Sequence, residues 1–322
     1  MPLATLKQVL GEAKKKHYGV GAYNVNNMEQ IQGIMQAAKD TNSPVIIQAS
    51  RGALKYTNLV YIKHLMLAAV EENPDIPIVM HLDHGDNLDT VKKAISLGFS
   101  SVMIDASAHP FEENVKITRE VVKYAHKFGV SVEGELGTLG GIEEDVSNNV
   151  KLTDPKKAME FVKLTGVDAL AIAIGTSHGA YKFKSQPKLA IPLVKKISQK
   201  VNIPLVMHGS SSVPVELRND INKFGGKMPN AMGVPTSSIQ AAIRNGICKI
   251  NTDTDVRMAM TASVRRVFYE HPEIFDPRDY LGPGREAITR LVASKMKAFG
   301  TSGHAKDYKI ISLKEAKKWY NK

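Results

Sequence analysis

The chain reads as an α/β protein, a (β/α)8 TIM barrel with extra C-terminal helices. Three observations predict this. Eight short runs rich in β-branched residues alternate with amphipathic stretches of helical period, which implies a parallel sheet. Eight such units within about 250 residues match the length of a closed barrel. The unusual polar residues Ser50, Asp83, His84, Asp105, Glu135, His178, His208, Asn251 and Asp253 fall at the C-terminal ends of the runs or just beyond them. That edge is where such barrels build their sites. An open doubly wound sheet is the competitor, disfavoured because no glycine-rich dinucleotide fingerprint follows the first run.

In order, the strand runs span 19–25, 44–49, 77–82, 100–105, 130–135, 168–174, 204–207 and 247–251. Between them lie amphipathic stretches at 28–40, 58–72, 87–97, 112–128, 155–164, 190–199 and 237–244. The helical period leaves each of these one apolar face to lay on the sheet. Past the last run, 284–298 and 313–320 hold helical patterns expected to pack on the barrel exterior. Two insertions stand out: 137–152, rich in glycine and acids, and 223–234, rich in glycine, proline and methionine. Long loops on the functional edge are candidate lids. No domain boundary is evident, so residues 1–322 are read as a single barrel domain.

Composition narrows the function classes. Hydrophobic residues make up 43% of 322 residues, the balance of a globular protein with a large core. No apolar run approaches the roughly 20 residues of a membrane span. The start Met1-Pro2-Leu3-Ala4-Thr5-Leu6-Lys7 lacks a basic segment followed by an apolar one, so no secretory signal is expected. The single cysteine, Cys248, permits no internal disulfide and fits a reducing compartment; a cytoplasmic location follows as the expectation. A net charge of +11 attracts phosphate groups, although lysine clusters such as Lys14-Lys15-Lys16 read as solvated helix faces. No Arg-rich tail, zinc-finger spacing or RNA-binding aromatic motif supports nucleic acid.

Three histidines carry most of the chemical signal: His84 in His81-Leu82-Asp83-His84-Gly85-Asp86, His178 in Gly175-Thr176-Ser177-His178-Gly179, and His208 in Met207-His208-Gly209-Ser210-Ser211. Three imidazoles at strand ends can leave one position of a divalent metal open, as a catalytic metal needs. Neutral imidazole suits Zn²⁺ or a similar cation. Asp83, adjacent to His84, can take a proton from a hydroxyl of a metal-held substrate. It can also be a carboxylate that orients a histidine. His81 lies inside its run and reads as a hydrogen-bonded core residue. Strand alternation puts Glu133 and Glu135 on one side, and Lys249 and Asn251 likewise. Buried acids and a lysine must pair, so Glu133 and Lys249 read as an ion-pair network; a Schiff-base role for Lys249 is the alternative. Gly140-Gly141-Ile142-Glu143-Glu144-Asp145 either swings an acid over the site or is a solvated loop. Gly209-Ser210-Ser211-Ser212, with Gly179 and Lys182, offers backbone N–H groups, hydroxyls and an ammonium for a phosphate. Asn251-Thr252-Asp253-Thr254-Asp255 follows the eighth run, where barrels often bind phosphate.

Together with Ala22-Tyr23-Asn24-Val25-Asn26 and Met103-Ile104-Asp105-Ala106-Ser107, these motifs resemble class II, metal-dependent fructose-1,6-bisphosphate aldolases over nearly the whole chain. Gly233-Val234-Pro235 is similar to the type B branch. The resemblance implies reversible cleavage of fructose 1,6-bisphosphate to dihydroxyacetone phosphate and glyceraldehyde 3-phosphate through a Zn²⁺-stabilised enediolate. By resemblance, His84, His178 and His208 hold the catalytic Zn²⁺, and Asp83 is the base at the C4 hydroxyl. Asp105 and Glu135 hold a second divalent ion or a displaced position of the first. Asn251 contacts the enediolate, and Glu143 or Glu144 returns the proton, since both align with the family's loop acid. Asn24, Gly179, Lys182, Gly209, Ser210, Ser211, Asp253, Thr254 and Asp255 match the substrate pocket. Ser50 and Arg257 match residues at the 6-phosphate, the arginine coming from a neighbouring subunit, which implies a homodimer or homotetramer. A monovalent cation, Na⁺ or K⁺, near Ser177 and Gly209 is a further trait of the family. Tagatose 1,6-bisphosphate is the alternative substrate, and a basic phosphosugar- or nucleic-acid-binding protein is the alternative of another class. Neither membrane nor nucleic acid is expected as a partner.

Overall fold

The computed structural model describes residues 3–143, 146–147, 151–181 and 187–321. Eleven strands occur among them in chain order: β1 (Val20–Asn24), β2 (Val45–Ala49), β3 (Ile78–Gly85), β4 (Ser101–Ile104), β5 (Ser131–Leu136), β6 (Gly140–Glu143), β7 (Val146–Ser147), β8 (Ala169–Ile172), β9 (Ser177–His178), β10 (Leu205–Met207) and β11 (Ile247–Thr252). Eight of them close into a parallel barrel in the order β1-β11-β10-β8-β5-β4-β3-β2. Each barrel strand overlaps one of the eight expected runs. The remaining three form a small sheet, β7-β6-β9, in which two strands of the insertion after β5 pair with the segment just after β8.

Helices cover the barrel, and several begin as their sequences dictate. Helix α1 spans Leu6–Lys16 and α2 spans Met28–Asp40, the latter capped by Asn27, whose side chain accepts from Gln30 N. Then follow α3 (Arg51–Thr57), α4 (Leu59–Glu72), α5 (Leu88–Ser96), α6 (Phe111–His126), α7 (Pro155–Thr165), α8 (Ile191–Lys200), α9 (Val215–Lys223), α10 (Thr236–Arg244), α11 (Thr254–Glu270), α12 (Pro277–Ala298) and α13 (Leu313–Ala316). Helices α3, α9 and α11 were not expected from the periodicity, and of α1 only the lysine-rich end was read as a helix face. Helix α12 begins well before residue 284 and runs through Pro283. Proline at the first helical turn is favourable, and packing against α2 and α11 holds the interior one in place.

The barrel interior changes character from bottom to top. Helix α1 crosses the bottom, where Leu6, Val9, Leu10 and Ala13 pack beneath Val20, Ile46, Val79, Ala169, Ala171, Val206 and Cys248. Above this apolar plug sit His81, Glu133 and Lys249, all fully buried. At the mouth come Asn24, Asp83, Glu135, His208 and Asn251. Leu10→Ala is expected to cost about 2–5 kcal/mol in urea unfolding. It should leave the Michaelis constant unchanged, because the plug lies below the charged layer rather than at the mouth. A large change in that constant would show that the plug and the mouth are mechanically coupled.

Candidate active site and metal centre

A bulge in β3 aims the first site residues. Leu82 pairs with Val102 and Gly85 with Ile104, so β3 carries one residue more than β4 over that interval. The extra residue bends the strand, and His84 takes a left-handed φ of 48°. Gly85 lets the bulge close on β4, since a Cβ there would lie 2.5 Å from the Met103 carbonyl. Asp83 and His84, adjacent in sequence, therefore both serve the barrel mouth.

The carboxylate of Asp83 is held by amides. Asn24 Nδ2 donates to Oδ2 at 2.9 Å, Gln48 Nε2 to the same oxygen at 3.1 Å, and Asn251 Nδ2 to Oδ1 at 3.1 Å. The two neighbouring imidazoles are held by carboxylates. His84 Nδ1 lies 3.1 Å from Asp105 Oδ2, and His208 Nε2 lies 2.8 Å from Glu133 Oε1. In each ring that nitrogen is the donor to the acid, which makes the opposite nitrogen an acceptor, and Asn251 Nδ2 lies 3.0 Å from that nitrogen of His208. Those two nitrogens, His84 Nε2 and His208 Nδ1, face each other at 3.0 Å. Two acceptor nitrogens at that separation repel, and the Asn251 amide beside one of them relieves this only in part; a cation reaching both would relieve it further.

Asp83, His84 and His208 present ligand atoms within 4.8 Å of one another, and so do His84, Asp105 and Glu135. Two neutral imidazole nitrogens and a carboxylate oxygen suit Zn²⁺ or a similar borderline cation, so the residues present fit the metal. His178 belongs to neither tight group. Its ring centroid lies 5.4 Å from that of His84 and 6.2 Å from that of His208, at the edge of the cluster.

Burial disfavours the charged form of the two most deeply placed imidazoles, His208 and His81. Burial lowers the His208 pKa, and Glu133 only partly opposes that. His81 is pushed down to about 3, first by burial and then by Lys249. Burial acts against ionisation of Glu133, yet the Lys249 ammonium at 2.8 Å holds the carboxyl well below its usual range. Burial likewise opposes ionisation of Asp105, and the His84 hydrogen bond overcomes it. Lys249 also reaches His81 Nε2 at 3.3 Å, and His81 Nδ1 meets Ser101 Oγ at 2.8 Å. His81 is thus the hydrogen-bonded core residue it was read to be. Lys249, fully buried and committed to Glu133, belongs to an ion-pair network.

Above this floor a cavity opens, lined by Asn24, Ser50, Asp83, His178, Gly179, His208, Gly209, Ser210, Ser211, Asn251, Asp253, Thr254 and Arg257. One wall is the turn after β10, where Gly209 adopts a φ of 61°. Only glycine fits there, because a Cβ would sit 2.5 Å from the Ser177 carbonyl. Another wall is the N-terminus of α11, whose first residue is Thr254. Free N–H groups and the positive end of a helix dipole favour an anion there.

Asn24, Ser50, Gly179, Gly209, Ser210, Ser211, Asp253, Thr254 and Arg257 share the cavity wall with Asp83 and Asn251. Asp255 does not: it is fully buried, with its carboxylate turned to Ser212, Val213 and Lys295, because α11 has already begun and carries it to the helix's inner face. It is therefore corrected from a substrate contact to a residue behind the wall. Arg257, expected to serve a neighbouring subunit's site, lies at the rim of its own chain's cavity and pairs with Asp253 at 2.5 Å. Lys182 and Glu144 lie outside the described residues, and of Glu143 only the backbone in β6 is described. Gln48 was missed. Its signal was a polar residue two positions from Ile46 within an otherwise apolar run, hence on the interior face.

The whole chain has known relatives. The family model described as fructose-bisphosphate aldolase class-II matches residues 4–304. A protein named fructose-bisphosphate aldolase from Giardia intestinalis is 68% identical over 99% of this chain and 100% of its own length. One of the same name from Pseudomonas aeruginosa is 47% identical over 97% of this chain and 95% of its own length. Among solved structures, the YdjI aldolase from Escherichia coli K12 superposes with a TM-score of 0.79 at 32% identity, covering 94% of this chain and 99% of that one.

Proposed function

Because the chain belongs to the class II fructose-bisphosphate aldolase family, we infer that its cavity carries out the reversible cleavage of fructose 1,6-bisphosphate. The products are dihydroxyacetone phosphate and glyceraldehyde 3-phosphate. The observation that supports the mechanism best is the Asp83 carboxylate, held by three amides directly beside the two facing imidazole nitrogens.

We propose that Asp83 removes the proton from the C4 hydroxyl, so that the C3–C4 bond breaks and the aldehyde leaves. The amides of Asn24, Gln48 and Asn251 fix which carboxylate lone pair meets that hydroxyl. Negative charge then develops on the ketone half, and Asn251 is the residue placed to donate to it. An acid of the insertion, Glu143 or Glu144, returns a proton to C3. A Zn²⁺ ion held by His84, His208 and His178 supplies, when bound, Lewis-acid polarisation of the substrate carbonyl. Asp105 and Glu135, grouped with His84, are the proposed site of a second divalent ion. The close contact between the Ser177 backbone and Gly209 is the proposed seat of a monovalent cation. Gly179, Ser210, Ser211 and Thr254 receive one phosphate, and Ser50 and Arg257 the other, with Lys182 assigned to the same pocket by resemblance. The net charge of +11 steers a doubly phosphorylated, anionic substrate toward the mouth.

Exposed Phe268, Tyr269 and Phe275, around the end of α11, support self-association as a dimer or tetramer. One buried cysteine and no helix long and apolar enough to cross a membrane, among the described residues, accord with the proposed cytoplasmic location.

The test is a coupled cleavage assay before and after EDTA, then with Zn²⁺ restored. Activity should vanish and return. Activity that survives complete metal removal would overturn the metal assignment, and cleavage of tagatose 1,6-bisphosphate alone would overturn the substrate.

A further inference from the structure

We propose that Asp255 and Lys295 form a buried brace that holds the turn after β10 in the shape that receives phosphate. The proposal rests on reading the cavity as a phosphate site. The turn is under backbone strain. Val213, a β-branched residue, sits at a φ of 48°, in the left-handed region that such side chains avoid. Something must hold it there, and Asp255 is placed to do so. Its Oδ1 accepts from Val213 N at 2.7 Å, and its Oδ2 accepts from Ser212 N at 2.8 Å and from Ser212 Oγ at 3.0 Å. Two successive backbone N–H groups caught by one carboxylate fix two peptide planes at once.

Those planes set the direction of the residues just before them. Ser211 Oγ accepts from Asp253 N at 3.3 Å, and Ser211 O accepts from Val234 N at 3.0 Å, so the serine is anchored on both sides while it lines the cavity. A bare carboxylate behind a phosphate pocket would repel the ligand. Lys295, from α12, lies 2.6 Å from Asp255 Oδ2 and donates to Ser212 Oγ at 2.9 Å. The brace is thus neutral overall and fully covered, with Asp255 at 0% and Lys295 at 6% exposure. Asp255 and Lys295 are positioning residues, since neither touches the cavity.

Inorganic phosphate serves as the probe, measured as a competitive inhibitor of cleavage and by direct titration of the metal-loaded protein. Asp255→Asn replaces one acceptor by a donor facing the Ser212 N–H. It is expected to weaken phosphate binding and raise the KM for the bisphosphate together, by about tenfold, the range for losing one charge-assisted hydrogen bond. Val213→Gly removes the strain and should leave both constants within about twofold, because glycine adopts this φ freely. In the Asp255→Asn background, Val213→Gly should recover most of the loss, a coupling that general destabilisation would not produce. Lys295→Gln, which keeps a donor but removes the charge, supplies an independent variant should Asp255→Asn fail to fold; it should weaken phosphate in the same direction. A folded Asp255→Asn protein with unchanged phosphate binding would overturn the brace. Additive effects of the two substitutions would also overturn it. Wild-type protein that binds no phosphate would instead overturn the underlying reading of the cavity, and the brace with it.

Discussion

Asp83→Ala is expected to lower kcat for bisphosphate cleavage by about 10²–10⁴-fold while the protein still carries its metal. Asp83 shares a 4.8 Å group with His84 and His208, so proximity alone allows it to be a ligand or a base. Its partners discriminate between the two. Both carboxylate oxygens accept amide hydrogens, from Asn24, Gln48 and Asn251. An oxygen already shared with amides is a weaker anionic ligand, yet remains able to accept a proton. Metal content by atomic absorption, set beside kcat on the same preparation, separates the roles. Parallel loss of metal and activity would make Asp83 a ligand and return the search for the base to the loop acids.

Lys249→Met is expected to destabilise the fold by about 3–5 kcal/mol, the cost of leaving a buried carboxylate without its partner. Glu133 and Lys249 are both at 0% exposure, and Glu133 also serves His208. Denaturant unfolding of Lys249→Met, Glu133→Gln and the double variant is the measurement. The double variant should be more stable than Lys249→Met alone, because it no longer strands a charge. Borohydride reduction in the presence of substrate should leave Lys249 unmodified; a trapped secondary amine there would revive the Schiff-base route.

The fold was legible because barrel strands are short, rich in β-branched residues and regularly spaced, and each of the eight runs became a strand. The site floor was legible for a different reason. Asp83, His84 and His208 interrupt apolar runs at strand ends, where a polar residue has no packing role. What was not legible lies in three dimensions. Asp255 looks like its neighbour Asp253 in sequence, but the start of α11 between them turns one to the cavity and the other to the interior. Gln48 looks like an ordinary strand residue until β3 brings Asp83 beside it. Arg257 stands in the first turn of α11 at the rim of its own chain's cavity, a position its sequence context did not announce. Helix α9 lacks a side-chain cap and buries only Ile221 along its length, too faint a stripe to announce a helix.

The charged layer inside the barrel has a consequence for how the chain reaches its native state. His81 comes from β3, Glu133 from β5, His208 from the end of β10 and Lys249 from β11, with 168 residues between the ends of the His81–Lys249 contact. A partial barrel built from the first five strands would enclose Glu133 and His81 with no cation for them. One built from the last strands would bury Lys249 alone. Neither half is a resting place, since an unpaired charge in a dry interior is costly. The layer therefore acts as a closure lock: it penalises every intermediate that sheds water before the last strand docks. Folding should accordingly be slow to commit, as long-range pairing requires, and then cooperative.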